Sequence, residues 1–261
     1  MRRYSTFHPL YLSFFSKPLY RDVAGNWKKI SFLYLLLLLA VCSIPTVFMV
    51  HAAVSDYLTR EAPKIVKQVP VITISKGEAS LNEEMPYVIK DPGSNASLVI
   101  IDTTGKTESL KGSDAVLLLT KTKLFFRRSP TETRVLSLSE LGDLTIDQTK
   151  VYDWIDIFLD YFILVLYPFA VLFSFLFRFV EALIFGAIGL LFARNMTVPL
   201  RYPAALSLAI ISMTPAIILD TLHTYADIGI PFWWLIDFLV ALGYLFFAVR
   251  SNAEAPPEMS A

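Results

Sequence analysis

The residues of this chain best placed to do chemistry are acids inside or beside its most apolar segments. Asp153, Asp156 and Asp160 fall at i, i+3 and i+7, so a helix would put all three carboxylates on one face. Like charges held together raise a pKa or attract a cation, which indicates a cation or proton site. The structural alternative is that acids favour the first turn of a helix. Both interpretations stay open for Asp160, because a carboxylate deeper in a bilayer is costly.

Five stretches are apolar enough to cross a bilayer and would position these acids. An apolar helix of about 20 residues spans the hydrocarbon, and the candidates are residues 30–50, 155–177, 180–193, 203–219 and 230–249. The third stretch is short, so a re-entrant segment is the alternative there. We predict an α-helical polytopic membrane protein of about five transmembrane helices, with a first span at residues 30–53, a four-helix bundle at 153–250 and a flexible tail at 251–261.

Basic residues before the first span predict the orientation. Residues 1–29 carry six Lys and Arg against a single acid, Asp22. Cytoplasmic flanks of membrane proteins collect Lys and Arg, so the N-terminus is predicted inside and, after five spans, the C-terminus outside. Aromatic and basic residues are mixed between Tyr11 and Tyr20. This mixture indicates an interfacial anchor with Trp27 at headgroup depth, or alternatively an anionic-lipid site.

The polar residues 54–152 predict a small, mainly β extracytoplasmic domain between the first and second spans. Residues 54–68 have the pattern of a helical stem that continues the first span. Beyond them, short β-branched or aromatic runs alternate with turn formers, at residues 69–74, 87–89, 98–101, 116–120, 123–126 and 134–138. Their apolar side chains have nothing to pack against unless the strands pair.

Two short motifs in this segment resemble phosphate chemistry. Gly105-Lys-Thr resembles the end of a phosphate-binding loop, but that loop needs a glycine at position 100, which is Ile. Asp102-Thr-Thr-Gly resembles the phosphorylated motif of ion pumps, but no other pump element is present. A hairpin turn that closes a strand is the simpler interpretation.

The remaining charges near the spans are predicted to pair between helices. With five spans, Arg178 and Glu181 fall at an inner turn, and Asp237 lies about two turns into the last span. An unpaired ion within hydrocarbon is costly, and arginine can bind a carboxylate with two hydrogen bonds. The expected pairs are Asp156 and Asp160 with Arg194 or Arg201 on the outer side, and Arg178 with Asp220 or Asp237 on the inner side.

Composition argues against several functional classes. The formal net charge is zero, which gives no case for nucleic acid, because binding it would need a basic face. Cys42 is the single cysteine, so neither an internal disulfide nor a Cys/His metal motif is available. The three histidines are scattered, and no Ser/His/Asp set is evident. We therefore expect no metal, no cofactor and no enzymatic activity.

Three segments resemble one known family. They are Phe14-Phe-Ser-Lys-Pro-Leu-Tyr-Arg-Asp-Val-Ala, the pair Val71-Ile-Thr-Ile-Ser-Lys-Gly-Glu and Ile100-Ile-Asp-Thr-Thr-Gly-Lys-Thr, and Arg201-Tyr-Pro-Ala-Ala-Leu with Met213-Thr-Pro-Ala-Ile. Together they resemble the bacterial domain-of-unknown-function family 1189. The resemblance implies an inner-membrane protein with one span, an outer domain and a four-span bundle, in the clan of Yip-type membrane proteins. It implies bilayer-embedded adaptors rather than enzymes, and it carries over no site residues.

The sequence leaves more than one function open. The first hypothesis is a non-enzymatic scaffold or accessory subunit in the lipid bilayer, whose outer domain engages a membrane or envelope protein. The second is a small transporter or lipid-handling protein that uses the intramembrane carboxylates, although no internal repeat supports it. An enzyme is the third, without a catalytic set to carry it.

Overall fold

The computed structural model of the protein describes residues 2–129, 132–226 and 228–253, and the chain divides into two compact units. We call Met1–Val50 with Ile163–Ala261 the helical unit, and His51–Phe162 the β unit. The helices are α1 Pro9–Leu12, α2 Lys17–Asn26, α3 Ile30–Val66, α4 Gln148–Asn195, α5 Tyr202–Ser212, α6 Thr214–Ala226 and α7 Trp233–Ala253. The strands are β1 Ile72–Ser75, β2 Glu78–Leu81, β3 Tyr87–Lys90, β4 Ser97–Asp102, β5 Leu117–Thr120, β6 Lys123–Ser129, β7 Glu132–Ser137 and β8 Leu144–Ile146.

Four helices are long and apolar enough to cross a membrane: α3, α4, α5 together with α6, and α7. This number corrects the predicted five. Residues 155–177 and 180–193 belong to one continuous helix, α4, so neither the predicted turn at Arg178 and Glu181 nor a re-entrant segment exists. No glycine or proline lies between residues 169 and 185, and charged side chains alone do not end a helix.

The beginning and the end of the described chain meet at one end of the helical unit. The Arg21 Nε donates to the carbonyl of Ser251 at 2.8 Å, and the Ser207 hydroxyl lies 3.1 Å from the carbonyl of Pro203 and 3.4 Å from that of Lys28. The start of α5 and the end of α7 therefore lie beside α2. The five-span prediction instead put the two chain ends on opposite sides of the bilayer. The predicted flexible tail falls, from residue 254 onward, outside the described residues.

α5 is the central helix of the helical unit. It is apolar on all sides, and Leu208, Ala209, Ile210 and Ile211 have no exposed surface. Two buried or half-buried tyrosines join neighbouring helices: Tyr34 shares a hydrogen bond of 2.9 Å with Thr214, and Tyr167 donates to the carbonyl of Ala40 at 3.0 Å. Between membrane helices, such bonds contribute specificity where burial of apolar surface supplies little driving force.

Small residues on one face of α4 allow close approach to α5 and α7. Ala182, Gly186, Gly189 and Ala193 recur at helical spacing and are buried. A Cβ atom added at Gly186 would lie 3.3 Å from the Cα of Leu206, on the backbone of α5. This distance is shorter than most real Cβ contacts, so a side chain at position 186 would push the backbone of α5 away by a few tenths of an ångström.

We expect Gly186→Leu to destabilise the helical unit markedly, because overpacking a tight contact costs about 1–3 kcal/mol or more. Gly243→Leu is the matched control, since a Cβ atom there would meet nothing within 4 Å. Thermal unfolding of the two variants in detergent measures the difference. Equal melting temperatures for both would contradict the close packing of α4 on α5.

A buried carboxylate, Asp22, ties the first residues of the chain to α2 and to Trp27 at its end. Its oxygens accept hydrogen bonds from the backbone N–H groups of Arg3 and Tyr4 and from the side chains of Asn26 and Trp27, at 2.9–3.3 Å. Burial favours the neutral form of Asp22, but these hydrogen bonds outweigh it and hold the pKa of the carboxyl below its ordinary value. Trp27 is fully buried, which corrects its predicted role as an interfacial anchor.

The β unit contains two sheets, of order β2-β1-β8 and β3-β4-β5-β6-β7. All six predicted strands are present, and α3 continues to Val66 as the predicted stem does. Two strands were not predicted: β2 has only four residues, two of them polar, and β8 has only three. Ile101 and Leu118 are fully buried at the centre of two separate apolar clusters.

Asp102 ends β4 and organises the loop that follows. The next strand, β5, runs parallel to β4, so the predicted hairpin turn is wrong here. The buried carboxylate accepts hydrogen bonds from Thr104 and from the backbone of Thr107, at 2.6–2.9 Å. Burial opposes ionisation of Asp102, yet these bonds keep its pKa below the usual value. With its oxygens so engaged, Asp102 has a structural role in the loop.

Candidate functional site

Arg178 binds three carboxylates from three helices, and these four residues form what we call the Arg178 cluster: Arg178, Glu181, Asp220 and Asp237. One terminal nitrogen, Nη1, lies 2.8 Å from Glu181 Oε2 and 3.2 Å from Asp237 Oδ2. The other, Nη2, lies 3.4 Å from Asp220 Oδ2. The inner pairing predicted for Arg178 thus brings together both aspartates named for it and adds Glu181.

Helix geometry explains why these side chains meet. Arg178 and Glu181 are three residues apart on α4 and therefore share a face. Asp220 comes from α6, and Asp237 lies one turn into α7. The Arg178 side chain is only 11% exposed, and that of Asp237 13%, whereas Asp220 remains 41% exposed. The cluster is thus enclosed by helices on most sides and open at Asp220.

Aromatic residues hold the open side of the cluster. The indole N–H of Trp233 donates to Asp220 Oδ1 at 2.9 Å, which joins the first turn of α7 to α6. The imidazole of His223 stacks on Trp233, with ring centroids 3.9 Å apart. His223 Nε2 is buried without a hydrogen-bond partner among the described residues. The sequence does not predict this pair of rings, since a scattered histidine and an interfacial tryptophan carry no spacing signal.

The cluster has more negative than positive groups. One guanidinium faces three carboxylates, and Asp237 Oδ1 is buried without a hydrogen-bond partner among the described residues. In a low-dielectric bundle such an excess of carboxylates favours a bound proton or a further cation. The described residues contain no group of three or more His, Cys, Asp or Glu placed to hold a metal ion.

Two cavities border the Arg178 cluster and share Phe177, Arg178 and Asp220 as lining residues. The first, of about 240 Å³, is lined by polar side chains from α3, α4 and α6, which include Ser43, Thr46, Ser174, Thr221 and Thr224. The second, of about 360 Å³, lies against Glu181, Trp233, Trp234 and Asp237. Hydroxyl groups beside a charged cluster offer hydrogen bonds to water or to a small polar solute.

The acidic stripe does not take part in this cluster. Asp153, Asp156 and Asp160 are exposed on α4 in the β unit, and within the described residues they make no hydrogen bond or ion pair through their side chains. Among the described residues no ion pair joins Asp156 or Asp160 to Arg194 or Arg201. The turn that was to bring these arginines back beside the acids falls inside the continuous helix α4, so the structure does not form the predicted outer pairing.

Comparison with known proteins identifies the family. The family described as "Protein of unknown function (DUF1189)" matches residues 7–249, which include both units and every residue of the Arg178 cluster. No curated protein and no solved structure matches the chain. With nearly its full length matched, the chain belongs to the DUF1189 family.

Proposed function

We propose that the protein is a non-enzymatic scaffold or accessory subunit of the bacterial inner membrane, whose β unit engages an envelope protein. The observation that carries the proposal is a folded β unit, inserted between the first and second spans, with apolar side chains exposed on its larger sheet. Leu118, Phe125 and Val135 lie opposite one another in adjacent strands and share a face, on which Leu118 is buried, Phe125 is half-buried and Val135, on the edge strand β7, is 52% exposed. Val116, just before β5, is 51% exposed.

The ion pairs in the helical unit favour a role as a membrane anchor over a role as a transport pathway. Asp220 and Asp237 are bound by Arg178 instead of lining an open path without cationic partners. A charged group that bridges α4, α6 and α7 fixes the relative packing of these helices. A rigid membrane anchor that carries an exposed binding module is the architecture expected of an adaptor.

The proposed orientation places the N-terminus and the end of α7 in the cytoplasm and the β unit outside. With four spans, the basic residues of the N-terminal tail fall on the same side as Arg194, Arg201 and Arg250. Positively charged residues favour the cytoplasmic side, so in the four-span arrangement every one of these basic segments lies on the side that this rule expects. Under the five-span prediction, Arg194 and Arg201 lay at an outer turn, against this rule.

Photo-crosslinking in native membranes tests the proposed partner. We expect a photoreactive residue at Val116 or Val135 to give a discrete adduct with one envelope protein, because these exposed positions belong to the proposed binding face. The control is the same residue at Leu164, which is 70% exposed on an apolar helix and faces lipid in this proposal. Adducts at Leu164 alone, or at none of the three positions, would refute a partner on the β unit.

A second candidate function is the movement of protons or small cations through the helical unit. The surplus of carboxylates in the Arg178 cluster, and the two cavities beside it, favour this function. Ion flux into vesicles that contain the purified protein, with Asp237→Asn as the comparison, separates it from the scaffold. A transporter loses flux in the variant, whereas a scaffold shows none in either protein.

A further inference from the structure

Strand β7 is one edge of the five-stranded sheet. On one side it pairs with β6, and no strand of the described residues pairs with its other side. The first four residues of β7, from Glu132 to Val135, are all exposed. An edge strand of this kind presents a row of free backbone N–H and C=O groups to any further strand that can reach them.

The opposite edge of the same sheet, β3, is closed by a side chain. The amide of Gln68 donates to the carbonyl of Lys90 at 2.9 Å and accepts from the Lys90 backbone N–H at 3.0 Å, as a neighbouring strand would. The Tyr87 hydroxyl in turn donates to the carbonyl of Gln68 at 2.7 Å. Among the described residues, no side chain caps the backbone of Thr133 or Val135 in this way, so β7 is the open edge.

The hydrogen-bond pattern shows which backbone groups of β7 point outward. The Arg127 N–H donates to the carbonyl of Val116 at 2.8 Å, so the backbone groups of Arg127 face β5 and not β7. Arg127 lies opposite Thr133, and in an antiparallel ladder hydrogen-bonded and non-hydrogen-bonded pairs alternate. The backbone N–H and C=O of Thr133 and, two residues further on, of Val135 therefore point away from β6. These are the groups that an added strand would bind.

The charges beside this edge are mostly positive. Arg128 Nη1 and Arg134 Nε both bind the same oxygen of Glu132, Oε1, at 3.5 and 3.2 Å. One carboxylate thus balances two guanidinium groups, and all three side chains are about half exposed. Lys123, opposite Ser137 at the other end of β7, adds a cation that forms no ion pair within the described residues. This surplus of positive charge attracts an acidic strand and disfavours a second copy of the same edge.

We infer that β7 is a strand-addition site, which takes up an extended acidic segment of the envelope protein. In this mode of recognition backbone hydrogen bonds supply affinity, here through Thr133 and Val135, and alternate side chains supply specificity. Arg128 and Arg134 bind the acidic side chains of the added strand with charge-assisted hydrogen bonds. The inference rests on the proposed function, because it names the surface and the chemistry by which the β unit engages its partner.

The test measures the adduct formed by a photoreactive residue at Val135 of the full-length protein in native membranes. Thr133→Pro removes an outward N–H without removing a bond to β6, and edge strands tolerate proline at such positions. We expect the adduct yield to fall roughly tenfold, because one hydrogen bond is lost and the proline ring obstructs the added strand. Thr133→Val is the matched control, since it keeps the N–H and the β-branched shape and should crosslink like the unsubstituted protein.

Two further variants test the charge of the partner, and they decide the question even if Thr133→Pro does not fold. Arg128→Gln/Arg134→Gln should lower the adduct yield severalfold. Glu132→Gln removes the carboxylate that the two arginines share, so it should raise the yield. Circular dichroism and size-exclusion profiles of the purified variants establish which of them are folded.

The possible results separate the inference from the proposed function. An adduct at Val135 that a folded Thr133→Pro variant leaves unchanged would overturn strand addition and keep the envelope partner. A yield that both charge variants leave unchanged, or move in the opposite directions, would overturn an acidic occupant. An adduct of twice the mass of the chain would identify a second copy on β7 and overturn the inference. No adduct at Val116 or Val135 of the unsubstituted protein would refute the proposed function, and the inference with it.

Discussion

Arg178→Gln is expected to lose about 3–5 kcal/mol of stability, which is the typical result of removing one partner from a buried ion pair. The variant leaves Glu181, Asp220 and Asp237 facing one another without the guanidinium that bridges them. Thermal unfolding in detergent, together with the monodisperse fraction on size exclusion, measures the loss. Arg178→Lys is expected to fall in between, because one ammonium group cannot reproduce contacts made by two separate guanidinium nitrogens.

Two comparisons make this result specific to the charge balance. Arg194→Gln removes an exposed arginine near the end of the same helix and should leave stability unchanged. Adding Glu181→Gln, Asp220→Asn and Asp237→Asn to Arg178→Gln should restore most of the lost stability, because no unbalanced charge remains. If Arg178→Gln is as stable as Arg194→Gln, or if the neutral combination recovers nothing, the cluster does not hold the helices together.

The apolar segments and most strands could be predicted from sequence because their signals are local. A run such as residues 30–50 is incompatible with water wherever it occurs, and each predicted β run alternates with turn formers. The predictions that failed concern residues whose structure depends on contacts with residues far away in the sequence. Arg178 and Glu181 were assigned to a turn because charges usually leave the bilayer. In the structure Asp220 and Asp237 come from other helices to pair with Arg178, so α4 continues.

The roles of some single residues also could not be predicted from their sequence context. Trp27 has the sequence context of an interfacial anchor, yet it is buried because Asp22 supplies an acceptor for its indole N–H. Asp102 closes a strand as a hairpin residue would, but β5 pairs in parallel with β4, and such pairing depends on the whole sheet.

A four-span topology differs from the five-span arrangement in the location of the C-terminus. Both arrangements put the N-terminus in the cytoplasm and the β unit outside. With four spans the chain returns to the cytoplasm after α7, in keeping with Arg250 near the end of that helix and with the contact between Arg21 and Ser251. With five spans the C-terminus would be outside. The side of the membrane that the chain reaches after α7 therefore decides between the two arrangements.

The most direct measurement of the proposed architecture is a pair of reporter fusions, one inserted at Gly105 in the β unit and one placed after Ala261. Gly105 lies in the loop after β4, where an added Cβ atom would meet nothing within 4 Å. We predict an active alkaline phosphatase and a dark green fluorescent protein at Gly105, and the reverse pattern after Ala261. Phosphatase activity at both positions would restore the five-span topology, and a fluorescent reporter at Gly105 would contradict an outer β unit altogether.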